Sequence, residues 1–386
     1  MTVDTSEEGT AGTAAPVEPA VAAAVAAGEV VLAHRFGSAI ALVDPVHLPG
    51  SGPATVVRAR IAASPFGLPR TLVIKHYPDP APEGLPDPFA QEAVSYQLFT
   101  ALQPEERMCP ELLAHDGEQR VLVIDDLGNA PTLQDKLMGR DARAAERALL
   151  SWARSLGRMH ATTAGREADF DALLRRLGGP VKHEDSTPVT ACAQLPGLLE
   201  EHLKVATPDA VHRFAEAACV RAKSLAYRAF SPADLSPDNN LVTSGGVRFL
   251  DFERGRVRNA LVDAANLRVP FASCTDALAL PAGMSEAMVA AWRSEVVGVW
   301  PGLSDGDVLS GHLLDHQLLV VWVNTWTALT GRCDKPAALV TWWLHLEADA
   351  ARMGENEIAG HARAVAAGLD ARYGPGLELP LYPAFR

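Results

Sequence analysis

In the first third of the chain, apolar residues recur in short runs broken by glycine and proline. Val30-Val31-Leu32-Ala33 and Ala39 to Val43 read as short strands, Thr55 to Ile61 as another and Thr71-Leu72-Val73-Ile74-Lys75 as a further one. Turn residues such as Pro49-Gly50-Ser51-Gly52-Pro53 separate them. Tyr77 to Pro88 is a proline-rich loop. Asp87-Pro88 then starts a helix, with Asp as the cap and Pro at the first helical position, that carries Phe89, Glu92, Tyr96, Phe99 and Leu102. Val121-Leu122-Val123-Ile124 is a buried strand running into the polar turn Asp125 to Asn129.

Beyond residue 131 the period changes. Arg143 to His160 places Leu149, Trp152, Leu156 and Met159 at helical spacing. Residues 162–200 are less regular and read as an insertion, 205–229 as helical, 234–251 as loop and hairpin, and the remainder as helical. The hairpin is Leu241-Val242, a turn at Ser244-Gly245-Gly246, and Val247 to Leu250. No repeat or heptad array is visible. A strand-rich first third followed by a helix-rich remainder predicts an α+β protein of two lobes. The expected division is a disordered tail over 1–20, an N-lobe over 21–127 and a helical C-lobe over 128–386.

Composition narrows the class. The 386 residues suffice for two packed lobes, and 48% hydrophobic with 21% charged residues is ordinary for a soluble protein. A net charge of −13 argues against a general nucleic-acid binder and permits a cationic substrate. Five widely spaced cysteines without a CxxC read as small core residues in a reducing cytoplasm. Asp4, Glu7 and Glu8 give the N-terminus the wrong charge for a signal peptide, and the run Leu318 to Val323 is too short to span a bilayer, so a cytoplasmic location away from membranes is expected.

Three features carry chemistry. Lys75 ends an apolar strand, and Glu92 lies seventeen residues later on the inward face set by Phe89, Tyr96 and Phe99. A carboxylate there needs a counter-ion, and Lys75 is the obvious one. In a kinase such a lysine grips the α- and β-phosphates, oriented by the helix glutamate; a salt bridge tying helix to sheet would place the same residues. Second, Asp234 is followed five residues later by Asn239, and the strand Val247 to Leu250 delivers Asp251. In kinase chemistry the first Asp accepts the proton of the attacking hydroxyl, and the Asn and second Asp hold Mg²⁺. Taken alone, Asp234 to Asn239 is also a turn-like string. Third, Gly50, Ser51 and Gly52 lie between two strands, where a flap over a nucleotide would sit, yet they lack the third glycine of GxGxxG. No P-loop motif and no HExxH occurs. His160 reads as a packed core histidine. Trp322, Trp326, Trp342 and Trp343 read as core, with an aromatic wall for a cationic substrate as the alternative.

In the order of these motifs, residues 30–345 resemble the aminoglycoside-phosphotransferase-like kinases, the group that also contains choline and fructosamine kinases. Val73-Ile74-Lys75 resembles the strand lysine, Glu92 its helix partner, and Val121 to Leu127 with Pro131-Thr132-Leu133 the hinge. Leu156 to His160 resembles "LxxLH", Asp234 to Leu241 "HGDLHPGNIL", Phe249 to Glu253 "FIDWE", and Val262 to Leu267 the "DLA" that follows. The resemblance implies a bilobal protein-kinase-like fold, ATP, Mg²⁺ and transfer of the γ-phosphoryl group to a hydroxyl. It also implies a nucleotide-binding role for Lys75, Glu92 and the Gly50 to Gly52 turn, with Asp234 catalytic and Asn239 and Asp251 on metal. Two positions depart from it: Pro232-Ala233 stands where the family has His-Gly, and Ser236 where the loop has its second His.

The acid, the Asn and the second Asp are all present, which favours an active enzyme on a small-molecule hydroxyl such as an amino sugar, amino alcohol or antibiotic-like acceptor. Two alternatives stay open: a Ser/Thr kinase acting on a peptide, and an inactive nucleotide-binding pseudokinase. The sequence specifies neither the acceptor nor the oligomeric state.

Overall fold

The computed structural model describes residues 18–48, 50, 52–63, 67–82, 85–178, 185–274, 276–331, 333 and 335–386. The chain divides into two compact units: the described residues up to Asp79 with Leu113–Asp126, and Pro80–Leu112 with Leu127–Arg386.

The first unit is a five-stranded sheet with one helix. Helix α1 (Pro19–Phe36) precedes β1 (Leu42–His47), β2 (Thr55–Ile61), β3 (Thr71–His76), β4 (Leu112–Asp116) and β5 (Val121–Asp125). The strand order is β1-β2-β3-β5-β4. The β1–β2, β2–β3 and β3–β5 pairs are antiparallel, and a register shift between Val43 and Val46 kinks the edge strand β1. Strands β2, β3 and β5 match the β-branched runs expected from sequence.

Helix α1 overturns the expected strand at Val30 to Ala33, and it also takes in the last two residues of the expected tail; residues 1–17 of that tail lie outside the described residues. Alanine dominates Pro19–Phe36, and alanine is the best helix former, so four apolar residues near the end of the run follow the helix. Val21, Ala24, Ala27 and Val31 recur at helical spacing and join Val57, Leu72, Ile74 and Val123 in one core. The packing is close: a Cβ at Gly28 would meet Ile74 Cδ1 at 2.9 Å. The Glu29 carboxylate then accepts the Leu42 N–H at 2.8 Å, fixing the turn into β1. Among the described residues α1 alone is long and apolar enough to cross a membrane, and its apolar stripe is spent on the sheet.

The second unit is mainly helical. It holds α2 (Pro88–Thr100), α3 (Leu133–Leu137), α4 (Ala142–Thr163), α5 (Glu167–Arg176), α6 (Thr187–Leu203) and α7 (Asp209–Ala222). Four short strands follow, β6 (Arg228–Ser231), β7 (Asn240–Thr243), β8 (Gly246–Phe249) and β9 (Arg256–Asn259). Then come α8 (Ala260–Ala265), α9 (Met284–Val296), α10 (Gly306–Thr330), α11 (Pro336–Arg352) and α12 (Asn356–Tyr373).

The α2 start is as read: the Asp87 carboxylate caps the Phe89 N–H at 3.2 Å, with Pro88 inside the first turn. Along α4 the buried residues Ala145, Leu149, Trp152, Leu156 and His160 keep the helical period. Burying a side chain the size of Trp152 contributes about 2–3 kcal/mol. The segment 162–200, read as irregular, forms α5 and α6 among its described residues. Pro188, Pro196 and Gly197 on α6 interrupt the propensity signal without ending the helix. Strand β9, inside the stretch read as helical, pairs antiparallel with β6; its four residues Arg256-Val257-Arg258-Asn259 are too few and too polar to show a period. Trp322, Trp342 and Trp343 are buried, which supports the core reading over an aromatic wall, and Trp326 donates to Gln194 Oε1 at 2.9 Å.

Candidate active site

Asp234, Asn239 and Asp251 all lie in the second unit, and backbone hydrogen bonds bring their segments together. Strands β7 and β8 form the expected hairpin, with Asn240 opposite Phe249 and Thr243 opposite Gly246. Asn239 closes a single 3-10 turn, Pro237–Asn239, just before β7. At this open end of the hairpin the Leu250 N–H donates to the Asn239 carbonyl at 2.8 Å. The hairpin thus returns the chain so that Asp251 follows directly on the residue bonded to Asn239. Asp251 takes φ 61°, a left-handed conformation that costs a non-glycine residue on the order of 1 kcal/mol.

The loop around Asp234 is organised by short polar contacts. Asp234 Oδ1 accepts the Ser236 N–H at 3.0 Å and the Ser236 hydroxyl at 2.7 Å. The Cys274 thiol donates to Ser236 Oγ at 3.2 Å, and Asn240 Nδ2 donates to the Ser236 carbonyl at 2.5 Å. Ser236 therefore ties Asp234 to its own loop. Asp234, Asn239 and Asp251 are all half-buried, open enough for a ligand and held by buried neighbours.

Glu92 has a partner that sequence reasoning missed. It is fully buried on α2, and its Oε1 accepts the Phe252 N–H at 3.1 Å, one residue beyond Asp251. Phe252 packs on Tyr96, Phe99 and Phe230 at centroid distances of 5.1, 5.7 and 5.2 Å, and Phe99 meets Phe230 edge-on at 5.0 Å. One aromatic cluster so joins α2, β6 (the strand that leads into Asp234) and the residue after Asp251. Gly255 fits because nothing larger would: a Cβ there would meet Ser95 Oγ at 2.4 Å and Phe230 Cζ at 2.9 Å. Burial, with the nearby Glu92 carboxylate next, pushes the Tyr96 phenol well above its usual range.

His160 is the buried core histidine expected. Its Nδ1 accepts the Trp292 indole N–H at 3.0 Å, so its Nε2 carries the proton and faces Asp263 Oδ2 at 3.1 Å. Burial works to raise the Asp263 pKa; the Arg258 guanidinium, with help from His160 and Ser231, overrides it and holds the carboxyl well below the usual carboxylate range.

The remaining predicted residues belong to the first unit. Lys75 is buried at 6% exposure in β3, in register with Val56 and Leu122. Gly50 and Gly52 are exposed between β1 and β2, and a Cβ at Gly50 would meet nothing within 4 Å; Ser51 lies outside the described residues.

Asp251 and Asn239 offer carboxylate and amide oxygens, the hard donors that suit Mg²⁺. That ion takes one or two protein ligands and completes its shell with phosphate and water. Among the described residues no three His, Cys, Asp or Glu side chains are grouped to hold a metal by themselves.

No protein-family model matches the chain, and no curated protein matches it in sequence. Solved structures similar to it include a choline/ethanolamine kinase family protein from Mesorhizobium loti (17% identity, 84% of this chain and 93% of that one, TM-score 0.45). Others are an aminoglycoside phosphotransferase from Alicyclobacillus acidocaldarius (12%, 94% and 99%, TM-score 0.48) and a choline kinase from Streptococcus pneumoniae (13%, 86% and 94%, TM-score 0.42). At these identities and TM-scores the likeness is distant, and the chemistry of the site stands on its own residues.

Proposed function

We propose that the chain is an ATP-dependent phosphotransferase of the aminoglycoside-phosphotransferase-like kind, moving the γ-phosphoryl group to a hydroxyl of a small molecule. The observation that supports the reading is the Leu250-to-Asn239 backbone bond, which sets the strand exit before Asp251 against Asn239, on the loop that begins at Asp234. A turn formed for structure alone has no need of three half-buried oxygen side chains on two braced segments.

In this reading Asp234 accepts the proton of the acceptor hydroxyl as its oxygen bonds the γ-phosphorus and the bond to the β-bridging oxygen breaks, leaving ADP. Asn239 and Asp251 would hold Mg²⁺, which would neutralise charge on the phosphates. Lys75 grips the phosphates, Glu92 belongs to the nucleotide-binding set, and the Gly50 to Gly52 turn covers the nucleotide. None of the five cysteines forms a disulfide, which fits a cytoplasmic location.

The test is ATP consumption by the full chain with Mg²⁺ across amino sugars, amino alcohols and Ser/Thr peptides, wild type against Asp234→Ala. Phosphorylated product from a small alcohol, lost in the variant, supports the reading. Undiminished turnover by Asp234→Ala, or product on peptides alone, overturns it.

A further inference from the structure

Ala233 sits at φ 62°, a left-handed conformation that alanine rarely adopts, directly before Asp234. Pro232 precedes it and has no N–H to anchor the turn. What fixes this turn is a run of polar contacts among buried and half-buried residues, none of which lies in the loop from Asp234 to Asn239.

The Ala233 N–H donates to Ser231 Oγ at 3.0 Å. The same oxygen accepts Arg258 Nε at 2.9 Å. Ser231 is fully buried, and both its lone pairs are thereby used. Arg258, on β9, turns its second arm to Asp263 Oδ1, while Asp263 Oδ2 takes His160 Nε2 and His160 Nδ1 takes Trp292. Ser231 and Arg258 also meet as register partners' neighbours, Ser231 facing Arg256 and Ala229 facing Arg258 across the β6–β9 ladder. A guanidinium reaches both acceptors at once because its fork is planar; an ammonium at the same place would satisfy one of them.

We infer that Ser231 and Arg258 are positioning residues for Asp234: they hold the strained Ala233 turn in this chain, where the resembling family has His-Gly. The inference rests on the proposed phosphotransferase reading for its catalytic consequence, and on geometry alone for the brace.

Two measurements on the full-length protein test it, with thermal melting to show that each variant is folded. Hydrogen exchange reads the brace without any activity. Ser231→Ala should speed exchange in the peptide spanning residues 231–239 at least tenfold and leave the remainder of the protein unchanged; unaltered exchange there overturns the inference even if the wild type phosphorylates nothing. Given an active wild type, Ser231→Ala and Arg258→Lys should each lower kcat at least tenfold with KM for ATP within twofold. Adding Ala233→Gly to Ser231→Ala should restore kcat to within threefold of Ala233→Gly alone, because glycine adopts this turn without a brace. A kcat within twofold of wild type in Ser231→Ala, or a loss that Ala233→Gly does not relieve, overturns the positioning role. A wild type inactive on every acceptor counts against the phosphotransferase reading, and the exchange result then decides the brace.

Discussion

Glu92 and Phe252 are 160 positions apart in sequence, yet the buried Glu92 carboxylate accepts the Phe252 backbone N–H at 3.1 Å. The contact fixes the chain one residue beyond Asp251 to helix α2. A loop residue at positive φ, as Asp251 is, keeps its place only when its neighbours are over-determined. Here they are, by Glu92 on one side and by the Leu250-to-Asn239 bond on the other.

Replacing Glu92 by Ala should therefore destabilise the second unit by about 1–3 kcal/mol, the cost of a buried donor left without its acceptor. Glu92→Gln keeps an oxygen for Phe252 and should cost less. Denaturant melts of both variants check this, and equal stability of wild type and Glu92→Ala would sink it.

Gly255→Ala should be worse than its size suggests. The new methyl would press on Ser95 Oγ and on the Phe230 ring, part of the aromatic cluster beneath Asp251. Overpacking of this kind costs about 1–3 kcal/mol and shifts what it touches. A lower melting temperature together with a slower turnover is the expected outcome; an unchanged melt would show that the cluster yields freely.

What the sequence made legible, and what it hid, follows from the range of the contacts. The cap at Asp87, the run Thr55 to Ile61 and the hairpin about Ser244-Gly245 are local, decided by residues within a few positions. Val30 to Ala33 misled because four apolar residues carry no period, and the alanines before them decided the matter through helix packing on Ile74. Asp234, Asn239 and Asp251 stand out as candidates by their spacing alone. Ser231 and Arg258 do not: a serine and an arginine on two short polar strands are unremarkable until the β6–β9 pairing brings them together. The one available signal was indirect: Pro232-Ala233 departs from the His-Gly of the kinases that the sequence resembles.

His361 should make the fold sensitive to acid. It is 4% exposed, packs against Trp322 and Trp343, has no hydrogen-bond partner on either ring nitrogen among the described residues, and burial lowers its pKa to about 4. The unfolded chain, with an ordinary histidine near 6.5, binds the proton more readily, so stability present above about pH 6.5 is lost as pH falls towards 4. The loss from this group is on the order of 3 kcal/mol. His361→Leu should lessen the fall in melting temperature between pH 7 and pH 4.5 and cost little at pH 7. Parallel pH profiles for the two proteins would remove His361 as a cause.

The proposed division of labour between the two aspartates gives the last prediction. Asp251, as a metal ligand, is needed for the nucleotide to bind with Mg²⁺; Asp234, as proton acceptor, is needed only once an acceptor hydroxyl arrives. Saturating ATP with Mg²⁺ should stabilise the wild type, by about 2.7 kcal/mol at a hundredfold excess over Kd. Chelating the metal should abolish most of that shift. Asp234→Ala should keep the shift and lose product formation, whereas Asp251→Ala should lose both. The side chains support this separation, since the Asp234 carboxylate is engaged by Ser236 within its own loop while Asp251 stands at the strand exit beside Asn239. Thermal-shift assays on the two variants with ATP, with and without Mg²⁺, read the difference directly. If Asp234→Ala loses the shift as completely as Asp251→Ala, both residues serve binding, and the proton must leave the acceptor hydroxyl by another group.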